Sequence, residues 1–176
     1  MARALVIGYG NLDRGDDGAG FHVVNRLRAA LGQPPLADDE TGLEGIGAEI
    51  DAVFLRQLVP ERAPDAAAYD RLVFCDAHVL PEGGDLQARR VRPEMRVSGF
   101  GHVMHPEGFL WLVHGLSARR PDGLMVALRG FRFDPTRRLS EGTSSQVDPA
   151  VALIRNHLAG GAPALRVDLQ HEGGDS

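Results

Sequence analysis

Gly8-Tyr9-Gly10-Asn11-Leu12-Asp13-Arg14-Gly15-Asp16-Asp17-Gly18-Ala19-Gly20 is the stretch from which the fold of this chain is read. Residues 3–8 before it form a short apolar run ending at glycine, the pattern of a buried strand. After it, Gly20–Leu31 places Phe21, Val24, Leu27, Arg28 and Leu31 at helical spacing. The stretch is therefore the turn between a first strand and a first helix. Its glycines allow a tight path with positive φ values, and Asn11 can pin the turn through its side-chain amide. Asp16 and Asp17 fall where the helix begins, where its dipole favours ionised carboxylates. A dinucleotide fingerprint would place glycine where Asp13 stands, and two more acids follow. Three carboxylates repel phosphate and suit a cation instead.

Outward from this turn, strands and helices alternate. Residues 32–47 form a loop rich in Pro, Gly and acids; 48–58 read as a second strand, and 61–68 as a short helix. The clearest strand is Arg71-Leu72-Val73-Phe74-Cys75-Asp76-Ala77, a continuous apolar run with an acid at its carboxyl end. Residues 84–91 and 123–131 read as further strands, 106–116 as a helix opened by proline, and 149–158 as a last helix. Strands separated by helices of about 10–12 residues imply βαβ units and a mostly parallel sheet covered on both faces. The 176 residues fit one domain, expected to span 1–170, with His171–Ser176 as a tail beyond it.

Composition removes several function classes. All 19 basic residues are Arg, so Schiff-base chemistry and a phosphate-loop lysine are excluded. A net charge of −5 gives no basic stripe for nucleic acid. Cys75 stands alone, without a partner for a disulfide or a CxxC site. It reads as a small core residue, kept unreactive beside Asp76. No apolar run approaches the roughly 20 residues of a membrane span, which makes a cytoplasmic address the expectation.

Three features converge on the carboxyl edge of the sheet, where open parallel sheets bind ligands. Asp17 comes from the first turn. Asp76 ends a central strand, where a partly hydrated carboxylate calls for a cation, a cap or a ligand. His102 and His105 lie in Gly99-Phe100-Gly101-His102-Val103-Met104-His105-Pro106, a loop leading into the apolar helix of Phe109, Leu110, Leu112 and Val113. Imidazoles beside Gly and Pro suit metal ligation or general base work. Two carboxylates and one imidazole make a mixed oxygen and nitrogen site for nickel, zinc, manganese or cobalt, with positions left open. His78 is a secondary candidate by its nearness to Asp76, while His22, His114 and His157 fall inside helices as packing or surface residues.

These residues resemble the hydrogenase maturation proteases, which trim the large subunit of nickel–iron hydrogenases. The family pattern is Gly-x-Gly-Asn, four variable residues, then Asp-Asp/Glu-Gly-x-Gly, and Gly8 to Gly20 follows it without a gap. Gln57-Leu58-Val59-Pro60-Glu61 is similar to the family's Gln-Leu-x-Pro-Glu. Val73 to Ala77 matches its strand ending in Asp-Ala. His102, Pro106, Phe109 and Leu110 match its later His, Pro and apolar helix, and Arg138-Leu139-Ser140 its last region.

The resemblance implies a three-layer α/β/α sandwich around a twisted, mainly parallel five-stranded sheet. It places the family's metal-contacting acid on Asp17, here shorter than the Glu of some members, its strand-end acid on Asp76 and its imidazole on His102. It implies an endopeptidase that removes a short C-terminal peptide from the hydrogenase large-subunit precursor once nickel is in place. The nickel would be supplied by that precursor, with no tightly bound cofactor in the enzyme, and Asp17 and Asp76 would be catalytic. No HExxH helix and no evident nucleophile triad offers another hydrolytic route. The metal could polarise the scissile carbonyl, or serve recognition while Asp17 or Asp76 activates water. A non-catalytic nickel-dependent checkpoint or chaperone would use the same ligands. A nucleotide-binding domain fits less well, because the second strand ends Leu55-Arg56-Gln57, without an acid for a ribose.

Overall fold

In the computed structural model of the chain, which describes residues 2–95 and 104–161, the first apolar run forms β1 (Ala4–Tyr9). A single 3-10 turn, Gly15–Gly18, leads into α1 (Ala19–Ala30). β2 (Ile50–Leu55), α2 (Ala63–Ala66), β3 (Arg71–His78) and β4 (Leu86–Val91) follow. α3 (Pro106–Leu116), β5 (Asp122–Arg129), α4 (Glu141–Ser144) and α5 (Val147–Leu158) complete the order.

The five strands lie in the order β2-β1-β3-β5-β4. All neighbours pair in parallel except β4, which runs antiparallel to β5. Side-chain alternation sorts the core into two layers. Val6, Val73, Cys75 and Val126 pack under α1 and α5. Leu5, Ile7, Leu72, Phe74 and Met125 pack against α2 and α3 on the other face. Both faces are buried, which is why the central strands read as unbroken apolar runs rather than as alternating ones. The expected α/β architecture, a mostly parallel five-stranded sheet flanked by helices, is the one observed. Among the described residues no helix is long and apolar enough to cross a membrane.

Boundaries differ where local chemistry overrides the apolar pattern. β2 starts at Ile50, because the buried Asp51 carboxylate accepts the Gly47 and Ala48 amides and turns the incoming chain. The expected helix over 61–68 is a 3-10 turn at Pro60–Arg62 followed by one turn of α-helix; Pro64 brings no amide to a longer one. α5 begins at Val147, so Pro149 sits in its first turn, where no intrahelical donor is needed. α4 is too short for any apolar period to reveal.

This topology creates one crevice. From β1 the chain passes through α1 to β2 on one side, while β3 pairs with β1 on the other. The connections leaving the carboxyl ends of β1 and β3 therefore diverge, and side chains from both can face the gap between them.

Candidate active site

The turn after β1 is shaped by close backbone approaches. A Cβ on Gly20 would lie 2.7 Å from the Cys75 carbonyl and 2.9 Å from the Tyr9 amide, so α1 starts in direct contact with β1 and β3. Gly10 has φ +139°, which side-chain-bearing residues rarely adopt, and a Cβ there would strike the Asp17 carbonyl. The same Cβ would lie 3.6 Å from Asp76 Oδ1, so Gly10 borders both the Asp17 main chain and the Asp76 carboxylate. The Asn11 amide donates to Asp17 Oδ2 at 2.9 Å, and Asn11 Oδ1 accepts the Asp13 amide at 3.0 Å. Asn11 thus fixes the turn and one carboxylate together.

Asp76 projects from β3 on the same face as Phe74. Gly8 pairs with Cys75, so Tyr9 is the neighbour of Asp76 on the adjacent strand. The Tyr9 hydroxyl points to Met125 Sδ on β5 at 4.0 Å, which carries the phenol ring across β3 at the level of Asp76. Burial pushes the Asp76 carboxyl up to about 7; the Ala77 amide at 2.8 Å opposes the rise, the Asp17 charge adds to it, and the Tyr9 hydroxyl opposes it. Burial, then the Asp76 charge, holds the Tyr9 phenol far above its ordinary value, so it remains a donor. Burial and the Asp76 charge likewise push the Cys75 thiol up, in keeping with an inert core residue. Arg89 pairs with Glu107 in the first turn of α3 at 2.7 Å, and both charges act on Tyr9, so the entry to α3 borders the site.

Asp16 has a different task from its neighbour. It is 0% exposed and accepts four hydrogen bonds from the segment after β5. The Phe131 and Arg132 amides donate to Oδ2 at 2.8 Å each, the Ser140 hydroxyl to Oδ2 at 2.7 Å, and the Ser140 amide to Oδ1 at 2.7 Å. Burial alone would raise its pKa, but these bonds outweigh it and bring the carboxyl down to about 2. The hydrogen bonds from residues 131–140 are what lower it. Adjacent identical acids give no sequence signal for this division of roles. Tyr9, at a variable position of the motif, is the other site neighbour that sequence reasoning missed.

His102 lies outside the described residues. His105 is exposed at the N-cap of α3, with the extended backbone that a following proline favours (φ −89°, ψ 158°). Among the described residues no group of three or more His, Cys, Asp or Glu side chains is placed to hold a metal ion. Asp17 and Asp76 therefore offer a pair of oxygen donors, and their mutual charge penalty is one a cation would relieve. His78 engages the Asp85 carbonyl through Nε2 at 2.9 Å, and its Nδ1 is buried without a partner. His114 meets the Pro121 carbonyl at 2.9 Å, while burial lowers the pKa of His22 and His157, as packing roles require.

No family model and no curated protein matches the chain in sequence. Solved structures do match its shape. The hydrogenase maturating endopeptidase HybD from E. coli superposes with a TM-score of 0.65 at 17% identity, covering 90% of this chain and 94% of its own. The [NiFe] hydrogenase maturation protease HybD from Thermococcus kodakarensis gives 0.62 at 17% identity, with 89% and 99% covered. The [NiFe] hydrogenase maturation protease HycI from Thermococcus kodakarensis KOD1 gives 0.61 at 19%, with 90% and 93% covered. Across about nine-tenths of its length, this chain has the fold of the hydrogenase maturation proteases.

Proposed function

We propose that this chain is a hydrogenase maturation endopeptidase, which removes a short C-terminal peptide from the nickel-loaded large-subunit precursor of a nickel–iron hydrogenase. The observation that carries the proposal is the juxtaposition of Asp17 and Asp76 at the strand-order reversal of this particular fold. The two acids of the sequence motifs come from different elements, the turn after β1 and the strand β3, and interact electrostatically. Asp17 and Asp76 are the catalytic and metal-contacting residues in this proposal, and His102 is the third ligand. The protein acts in the cytoplasm on its precursor, without nucleic acid or membrane.

Nickel enters as part of the substrate. A divalent ion held against the two carboxylates would polarise a carbonyl brought beside it. Holding the precursor tail there also converts hydrolysis into a positioned, local event. Where the ion serves recognition alone and Asp76 stands free of it, the raised proton affinity of its buried carboxyl suits it to activate water. Tyr9 supplies a donor that steadies its carboxylate.

The test is a mass measurement. Candidate precursors, nickel-loaded and nickel-free, are incubated with the purified protein and weighed. Loss of a short C-terminal peptide from the nickel-loaded form alone supports the proposal. A stable complex of unchanged mass would identify a checkpoint that binds without cutting.

A further inference from the structure

We infer that Asp16 is a positioning residue for Asp17, and that its clamp on the segment after β5 sets where Asp17 stands relative to Asp76. The inference rests on the function proposed above. Asp16 has no exposed surface, so it acts only through its neighbours. Asp16 and Asp17 share one 3-10 turn, in which the Asp17 amide donates to the Arg14 carbonyl at 3.2 Å. Any rotation of the Asp16 peptide unit carries Asp17 with it.

The clamp is more than a local staple because of what it joins. Besides the four bonds to its carboxylate, the Asp16 amide donates to the Arg132 carbonyl at 2.9 Å, and the Gly15 amide to the Thr136 carbonyl at 2.6 Å. The segment it grips leaves β5, the strand that pairs with β3 on the side away from β1. At its start the Gly130 amide donates to the His78 carbonyl at 2.8 Å, two residues beyond Asp76. A continuous chain of contacts therefore runs from Asp76 along β3 to His78, across to Gly130 and Phe131, and back through Asp16 to Asp17. It closes a ring around the crevice that the sheet alone leaves open between β1 and β3. A carboxylate with four donors fixes that ring; an amide in its place turns one or more N–H groups against donors already there.

Asp16→Asn tests this, read beside Asp17→Asn and the parent protein. Processing of the nickel-loaded precursor should fall at least about tenfold, as when a group supporting a ligand is lost, while affinity for the precursor stays unchanged. The spectroscopic readout is the backbone amide resonance of Asn11, the donor to Asp17 Oδ2. In Asp16→Asn it should move toward its position in Asp17→Asn. A folded Asp16→Asn protein with parental rate and parental Asn11 resonance overturns the inference and leaves Asp16 a staple of the fold. If Asp16→Asn does not fold, Ser140→Ala, which keeps every backbone donor, is read by the same two criteria in the same direction. If the parent protein cleaves no precursor, the proposed function fails, and the Asn11 resonance still decides the role of Asp16.

Discussion

Burial on β3 raises the proton affinity of Asp76, and the charge of Asp17, from the turn after the neighbouring β1, adds to the rise. One carboxylate enters from a helix-entry turn and the other from a strand, and Gly10 lies against the Asp17 main chain and the Asp76 side chain. Two acids so placed are costly to ionise together in a partly buried setting. The proposed function sets a cation against this pair of carboxylates.

Replacing either acid removes one donor while keeping its shape. Asp17→Asn and Asp76→Asn should each slow precursor processing by at least about a hundredfold, the scale of losing a ligand or its support. Mass spectrometry of timed digests measures this, with circular dichroism to show that each variant is folded. A folded variant that cleaves at the parental rate would remove that residue from the site.

Stability should respond to pH in two separate windows. Asp76 titrates near 7 in the folded protein, above the 3.8 of a free carboxyl, so folding favours its protonated form. Its contribution is complete below about pH 4 and is lost as pH rises toward 7. Asp16 behaves oppositely: with its folded pKa lowered from 3.8 to about 2, it stabilises the protein above about pH 4 by about 2 kcal/mol, lost as pH falls through that interval. Denaturant melts across pH 2–8 should show Asp76→Asn flattening the upper slope and Asp16→Asn the lower one. Unchanged slopes would contradict the burial of Asp76 and the hydrogen bonds that hold Asp16 ionised.

The turn from Gly8 to Gly20 and the strand that carries Asp76 were legible because each combines an apolar run with residues that a buried strand cannot otherwise hold. The proline-opened helix at 106–116 was legible for a similar reason, since proline marks the start and the apolar residues keep helical spacing. The distinct fates of Asp16 and Asp17 were not legible. Which of two neighbouring acids turns inward depends on donors from residues 131–140, far along the chain. The direction of β4 was equally hidden, because an apolar pattern does not encode whether a strand runs with or against its neighbour. Tyr9 passed unnoticed because its importance comes from register with β3, which only pairing reveals.

Metal content gives a further check. The proposed set of two carboxylates and one imidazole would bind a metal less firmly than a closed four-ligand site, and the one cysteine, Cys75, is buried in the core. Elemental analysis after gentle purification should find well below one metal per chain. A stoichiometric zinc that survives chelation would mark an ordinary metallohydrolase and end the account in which nickel arrives with the precursor.

The two imidazoles of the segment before α3 should separate cleanly by mutation. Arg89 and Glu107, the latter in the first turn of α3, pair at 2.7 Å and act on Tyr9 by their charges, so the helix entry lies within electrostatic reach of the site. His105 is committed to starting the helix: Pro106 restricts its backbone, and its carbonyl accepts the Phe109 amide at 3.0 Å. Its ring is exposed, which suits contact with a substrate better than a partly buried ligand set. His102 has the spacing to Pro106 that matches the family pattern. His102→Ala should therefore abolish processing and weaken binding of added nickel or cadmium, measured by calorimetry. His105→Ala should retain measurable activity and parental metal affinity. The opposite ranking, with both variants folded, would transfer the ligand role to His105 and place the metal closer to the helix entry than to the strand edge.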